Sequence, residues 1–404
     1  MSNMKQILLT RSAPVIGYLP AYANTLSPIM GDIFAALDVV SREMVGFIPS
    51  AMREAGVERA AVGQTITYPI APPQEATDIV PAMTPPSGYD NAFGTGVMSI
   101  TKAKAVKWNF TGEEQRALNA STGPNFLSAQ AMILAQGFRT LANMVEVDIS
   151  TEAATNASRA YGTAGTTPYA ADKLTELAQL RKILDDNGAP ASMRSAILSS
   201  SAGANLRTIH NLSKVNEAGS QMTLRQGELL DIYGFSVKET GQPYAHTAGT
   251  AAGSTTNAAG YAVGATVITV TGGTGTFLAG DVVTFAGDLN KYVLAVGTAG
   301  GTITLAAPGL REAIPAAATA ITRSASYEAA TVGFSMDALH VAMRPPARPT
   351  SGDLAVDSIL VTDARSGVTF EIAIYPGYRM MYGEIGLAWG QHVSKPEHVA
   401  VVLG

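Results

Sequence analysis

The chain has 404 residues, 47% of them hydrophobic and only 15% charged, and its 32 acidic and 27 basic side chains leave a net charge of −5. Soluble chains ordinarily carry about 25% charge, so much of this surface is expected to lie against partners, and the acidic balance argues against a dedicated nucleic-acid binder. There is no cysteine and there are five histidines; that excludes disulfide scaffolds and cysteine nucleophiles and leaves little for metal or acid–base chemistry.

The opening MSNMKQILLTRSAP has a short apolar run broken by Arg11, unlike a signal peptide. Nowhere do about 18 apolar residues run together, so the expectation is an untargeted, cytosolic chain. Residues 1–26 read as an irregular arm. Ser27-Pro28 then opens a short amphipathic helix carrying Ile29, Ile33, Phe34, Leu37, Val40 and Met44.

The period then changes. GQTITYPI (63–70) and VMSITKAKAVKWNF (97–110) alternate like strands, with Val106, Trp108 and Phe110 on one face. Between them lies a proline-rich stretch containing Tyr89 and Phe93, and the whole reads as an extended two-stranded arm that needs another surface to lie on. Lys102, Lys104 and Lys107 read as solvated edge charges, or as contacts to acidic groups of a neighbouring chain.

From Asn125 to Tyr161 no proline intervenes, and Leu127, Leu134, Phe138, Leu141, Val145 and Ile149 keep one face apolar. The spacing predicts one long helix, with Gly137 and the stretch 151–158 as places where it frays or kinks. A second helix is predicted over 171–186, stopped by Asn187-Gly188, and 170–240 reads as a mixed α/β unit. Residues 245–260 are small and polar, hence linker-like. The β runs TVITV (266–270), DVVTFAG (281–287), YVLAV (292–296) and TITLA (302–306) follow, separated by glycine turns as in a small barrel. A β module with α/β material on either side is predicted to be an inserted domain. SMDALHVAM (335–343) is a short amphipathic segment, and GVTFEIAIY (367–375), MMYGEIGLAWG (380–390) and HVAVVL (398–403) close the chain as strands. The first two face each other across Pro376-Gly377-Tyr378.

No phosphate-binding loop, dinucleotide fingerprint, HExxH or GxSxG pattern occurs. His392 and His398 read as packed or solvated imidazoles. Asp185-Asp186 and Glu113-Glu114 are adjacent on helices, so each pair diverges instead of converging on one substrate. No catalytic, cofactor or metal site is predicted.

An N-arm, an extended hairpin, a long helix, an α/β unit with a β insert and a closing hairpin, in that order, resemble the major capsid proteins of tailed bacteriophages, with their HK-ninety-seven-like α+β fold. LANMVEVDIS (141–150), FLAGDVVTFAG (277–287), FSMDALHVAMRPP (334–346) and IGLAWGQHVSKPEHVAVVL (385–403) are similar to stretches of the P-twenty-two-like coat proteins. The resemblance implies an N-arm and short helix at 1–48, an E-loop at 49–115 and a P-domain with the spine helix at 116–165. It implies an A-domain at 166–240, 327–354 and 393–404, an all-β insertion domain at 241–326, and a P-domain hairpin at 355–392. It further implies self-assembly as hexamers and pentamers into an icosahedral shell, commonly of triangulation number seven, with scaffolding and portal proteins as partners. Double-stranded DNA would be enclosed without sequence-specific binding, and no cofactor or membrane would be involved. Assembly in the host cytoplasm and a place in the virion capsid follow. Lys102, Lys104, Lys107, Trp108, Tyr89 and Phe93 are the candidate intersubunit contacts. A cellular nanocompartment shell of the same fold is the nearer alternative; an α/β enzyme and a surface β protein are more distant ones.

Overall fold

Among the described residues the first helix opens with a reciprocal cap: the Thr111 N–H donates to Glu114 Oε2 at 2.8 Å, and the Glu114 N–H donates to Thr111 Oγ1 at 3.2 Å. Helix α1 (Gly112–Ala120) follows, then α2 (Phe126–Thr155), about 45 Å long at ~1.5 Å per residue. In this computed structural model the described residues are 45–54, 58–70, 78–79, 81, 94–120, 126–170, 173–209, 231–362 and 367–404. The helix expected after Ser27, and the candidates Tyr89 and Phe93, lie outside them.

Helix α2 runs unbroken through Gly137 and ends at Thr155, six residues short of the predicted limit at Tyr161. The backbone beyond it is captured by a sheet: Arg159–Gly162 is a strand, in parallel register with Val399–Leu403. Leu134, Phe138, Leu141, Val145 and Ile149 are fully buried, as their spacing predicts. They face a six-stranded sheet in which the long strand Met380–Val393 is central. One side of that strand pairs with Thr369–Gly377 and then with Leu339–Arg344; the other side pairs with Lys102–Thr111. Asp357–Thr362, not foreseen from the sequence, flanks Thr369–Gly377. Residues 377–380 close the predicted hairpin, with Tyr378 largely exposed and Arg379 in the left-handed region (φ 56°).

The α/β unit orders its strands as Phe235–Thr240, Arg194–Ser199, Tyr327–Ser335, Val399–Leu403 and Arg159–Gly162. Helices α3 (Thr175–Asp186) and α4 (Ser200–Thr208) cover it, burying Leu177, Leu180, Leu184 and Leu206. At the end of α3 the two aspartates diverge as predicted: Asp185 pairs with Arg194 at 2.6 Å and Asp186 with Arg159 at 3.3 Å.

The segment between Thr240 and Tyr327 extends this sheet, for Lys291-Tyr292 pairs antiparallel with Arg159-Ala160 and carries the ladder on into the β module. Between those points lie the four predicted β runs and three strands not foreseen, Ala245–His246, Thr255–Thr256 and Ile321–Arg323. Ile268, Phe277, Val283, Phe285, Leu294, Ile303 and Leu305 form an apolar cluster confined to 251–321. The linker expectation for 245–260 is overturned: Ala245–His246 pairs with Tyr327-Glu328, Thr255-Thr256 pairs with Val270-Thr271, and His246, Ala251, Ser254 and Thr256 are buried. Small residues here serve close packing. A Cβ on Gly249 would stand 2.4 Å from the carbonyl oxygen of Thr276, so only glycine lets the two backbones approach.

Candidate functional site

The predicted arm exists, but its second strand is divided. Thr65–Ile70 pairs with Gly94–Ser99 in a two-stranded ladder, and the chain then crosses at Ile100-Thr101 into the six-stranded sheet, where Lys102–Thr111 pairs with Met380–Trp389. The Thr101 N–H donates to the carbonyl of Trp389 at 3.0 Å at that crossing.

At its base the ladder is seated on the sheet. Met98 and Ile100 are buried with Ala60, Ala342 and Ala388, and Ile66 and Tyr68 pack against them. A Cβ on Gly390 would fall 2.1 Å from Ser99 O, so that glycine admits the arm to the sheet. The Tyr68 ring lies flat on His340, centroids 5.1 Å apart and planes at 7°, with His392 at 6.4 Å. Desolvation raises the Tyr68 hydroxyl pKa, and desolvation with His340 alongside lowers that of His392. Further out the ladder shows apolar surface: Ile70 is 41% and Val97 49% exposed.

The four described candidates separate. Lys102 is tied within the chain, its Nζ 2.7 Å from Asp148 Oδ1 on α2. Trp108 is 6% exposed and packs in the core, its ring over Gly383, so it lies inside the subunit and not on its surface. Lys104 and Lys107 are exposed on Lys102–Thr111, whose outer edge has no strand partner among the described residues. That exposure fits both readings of these two, a solvated edge and a contact to acidic groups of a neighbouring chain.

Two polar constellations were not foreseen. Glu146, on the buried face of α2, accepts the backbone N–H groups of Gly46, Phe47 and Ile48 at 2.7, 2.8 and 3.1 Å, docking that segment on the helix. An acid inside an otherwise apolar stripe was the available signal. The second lies inside the β module, next to the strand Ala245–His246 that pairs with Tyr327-Glu328: His246 Nε2 lies 2.9 Å from Asp281 Oδ1, and Tyr244 Oη 3.0 Å from His246 Nδ1. Asp281 also accepts the N–H of Leu278 at 2.8 Å and of Gly249 at 3.0 Å. This has the members of an acid–base relay, but His246 is 5% and Asp281 1% exposed, so no substrate reaches it and it acts as a clasp. A cleft of about 540 Å³ between the α/β unit and the module contains Arg159, Lys291, Glu176 and Asp186. Arg159 is already bonded to Asn290, Asn187 and Asp186, and Lys291 donates to the Gly162 carbonyl. Among the described residues no group of three His, Asp or Glu is arranged to hold a metal, and no helix is long and apolar enough to cross a membrane.

No protein-family model and no curated protein matches the sequence. Among solved structures the chain is similar in outline to the capsid of cyanophage P-SCSP1u, with 11% identity, a TM-score of 0.47, and 98% of this chain and 93% of that one covered. It is likewise similar to a structure from Mycobacterium phage Che8, with 11% identity, a TM-score of 0.44 and coverage of 86% and 88%. A virus-like particle from Pyrococcus furiosus shows 11% identity, a TM-score of 0.42 and coverage of 92% and 98%.

Proposed function

We propose that the chain is a shell-forming subunit: the major capsid protein of a tailed double-stranded DNA bacteriophage, of the P-twenty-two-like kind with an inserted β domain at 241–326. It assembles in the host cytoplasm as hexamers and pentamers into an icosahedral shell of triangulation number seven, with scaffolding and portal proteins. The shell encloses DNA without reading its sequence.

The observation that carries this reading is the arm. A two-stranded ladder is marginal by itself in water. This one is held by its base and presents Ile70 and Val97 to solvent, which favours coverage by a second copy. Ordering such an arm on a neighbour makes assembly cooperative, since the ordering cost is met by intersubunit burial. Exposed Lys104 and Lys107 supply a charged edge beside it, and the sequence of 71–93 carries Glu75, Asp78 and Asp90 with no Lys or Arg, a complementary charge for the next subunit's edge.

Size-exclusion chromatography with negative-stain microscopy of the expressed chain tests the proposal. Uniform shells, tubes or capsomers are expected, and deletion of residues 72–95 is expected to leave a folded subunit that closes no shell. A discrete monomer or dimer at every concentration, or normal particles from the deletion, would overturn it.

A further inference from the structure

We infer that Arg59 is the positioning residue that aims the arm, through a forked ion pair with Glu371. The consequence for assembly rests on the shell-subunit reading; the geometry does not. Arg59 lies at the arm's root, just before the ladder begins at Thr65. Its Nη1 donates to Glu371 Oε2 at 2.7 Å and its Nη2 to Oε1 at 2.6 Å, while Nη1 also donates to the Pro346 carbonyl at 2.9 Å. The Glu371 side chain is 6% exposed and that of Arg59 35%.

The root's other directional ties are backbone hydrogen bonds. Ala60 and the 345–347 segment exchange two, Ala60 N to Pro345 O and Ala347 N to Ala60 O, each 2.9 Å; the Gly63 N–H donates to Ile100 O and the Ile100 N–H to Gln64 O, each at 2.9 Å, and the Thr101 N–H to Trp389 O at 3.0 Å. Arg59 adds a side-chain tie to these. Further along, Met98, Ile66 and Tyr68 seat the ladder on Ala342, Ala388 and His340 by apolar and ring contact. Apolar burial holds surfaces together without fixing a direction. A guanidinium fork on a carboxylate fixes a plane, and Lys cannot reproduce it.

Glu371 has a second cation. Arg348 lies 3.0 Å from Oε1 and also pairs with Asp353 at 3.3 Å. Loss of Arg59 therefore leaves the buried carboxylate compensated in charge, while its two forked bonds disappear. That separates the direction of the arm from the stability of the sheet beneath it.

The test compares backbone hydrogen exchange in the soluble full-length chain with its yield of closed shells. In Arg59→Ala the amides of 65–70 and 94–99 should exchange about tenfold faster or more, the scale of losing a charge-assisted pair, and closed-shell yield should fall about as far. Exchange in Val399–Leu403 and the melting temperature should stay at wild-type values. Arg59→Lys should fall between. Arg59→Ala combined with Glu371→Gln should loosen the arm no further than Arg59→Ala alone, as a shared interaction requires. Wild-type arm protection in Arg59→Ala, or loosening spread equally into 399–403, would overturn the inference. A wild-type chain that forms no shells would instead overturn the shell reading, because the exchange comparison is made on unassembled subunits.

Discussion

Asp148 holds the indole N–H of Trp389 on one carboxylate oxygen, at 2.8 Å, and the Lys102 ammonium on the other, at 2.7 Å. The helix, the central strand and the edge strand thus meet at one side chain. Trp389 is fully buried, so its N–H has no alternative partner in water, whereas the Lys102 side chain is 42% exposed.

Asp148→Ala should therefore cost about 2 kcal/mol, the range for a hydrogen bond to a charged acceptor whose donor is left buried. Lys102→Ala should cost only ~0.5 kcal/mol, as exposed ion pairs do. Denaturant titration followed by tryptophan fluorescence reads both. Equal losses would mean that the ion pair, and not the indole bond, fastens the strand.

Glu146 gives a prediction with a definite sign in pH. Burial pushes its carboxyl above the ordinary range, against the three backbone N–H groups that favour the charged form. A raised folded pKa means that the folded state holds the proton more tightly than the unfolded one. The contribution is favourable below the unfolded value of 4.5 and is lost as pH rises through the folded value. Relative to Glu146→Gln, the wild-type chain should gain stability as pH falls from about 8 to about 5. Glu146→Ala, leaving three buried donors without an acceptor, should cost ~3 kcal/mol near the low end of that range and less as pH rises, with the same slope as the Gln comparison. A wild type and Gln variant that track each other across pH would refute the burial argument.

What the sequence disclosed follows from periodicity. The α2 stripe and the strands of the module were legible because each repeats a burial pattern with one period, 3.6 or 2. The division at Ile100-Thr101 was not, for the same reason. Met98, Ile100, Val106, Trp108 and Phe110 share one parity, and its interruption by Lys102 and Lys104 reads as edge charge on one continuous strand, so nothing marks the crossing. The arm's root was invisible because Arg59 and Glu371 are 312 residues apart. In 245–260 composition misled: glycine, alanine and threonine suit both a linker and a close-packed strand edge, and nothing local distinguishes them.

The β module should fold by itself. Its apolar cluster is confined to 251–321, and its clasp residues His246 and Asp281 both lie within 241–326. Expressed alone, 241–326 should give a strand-type circular dichroism spectrum and a cooperative melt. Burial opposes the Asp281 charge, but His246 and the N–H groups of Leu278 and Gly249 hold its pKa below the usual 3.8. A depressed pKa contributes stability above the unfolded value that is lost as pH falls through the folded one, so the module should resist acid down to the region below 3.8. Asp281→Ala should remove that resistance and cost ~3 kcal/mol at neutral pH. A disordered spectrum from the fragment would show that its strands depend on the host sheet.

The free lysines set the last expectation, that DNA is contained without being read. With net −5 over the chain and Lys102 committed to Asp148, Lys104 and Lys107 are left on the edge strand. They have opposite parity along it, so they point to different faces and do not build one field. Two phosphate contacts would give a slope of about −1.8 in the logarithm of affinity against the logarithm of salt. The purified subunit should accordingly bind duplex DNA weakly, without sequence preference, and release it at moderate salt. Lys104→Glu with Lys107→Glu should instead depress shell yield while leaving the melting temperature within about 2 °C of wild type, since both side chains are exposed. Filter binding across a salt series and microscopy of the double variant measure the two effects. A steep salt slope with nanomolar affinity at physiological salt, or a sequence-specific footprint, would sink the container reading; normal shells from the double variant would remove the lysine edge from the assembly interface.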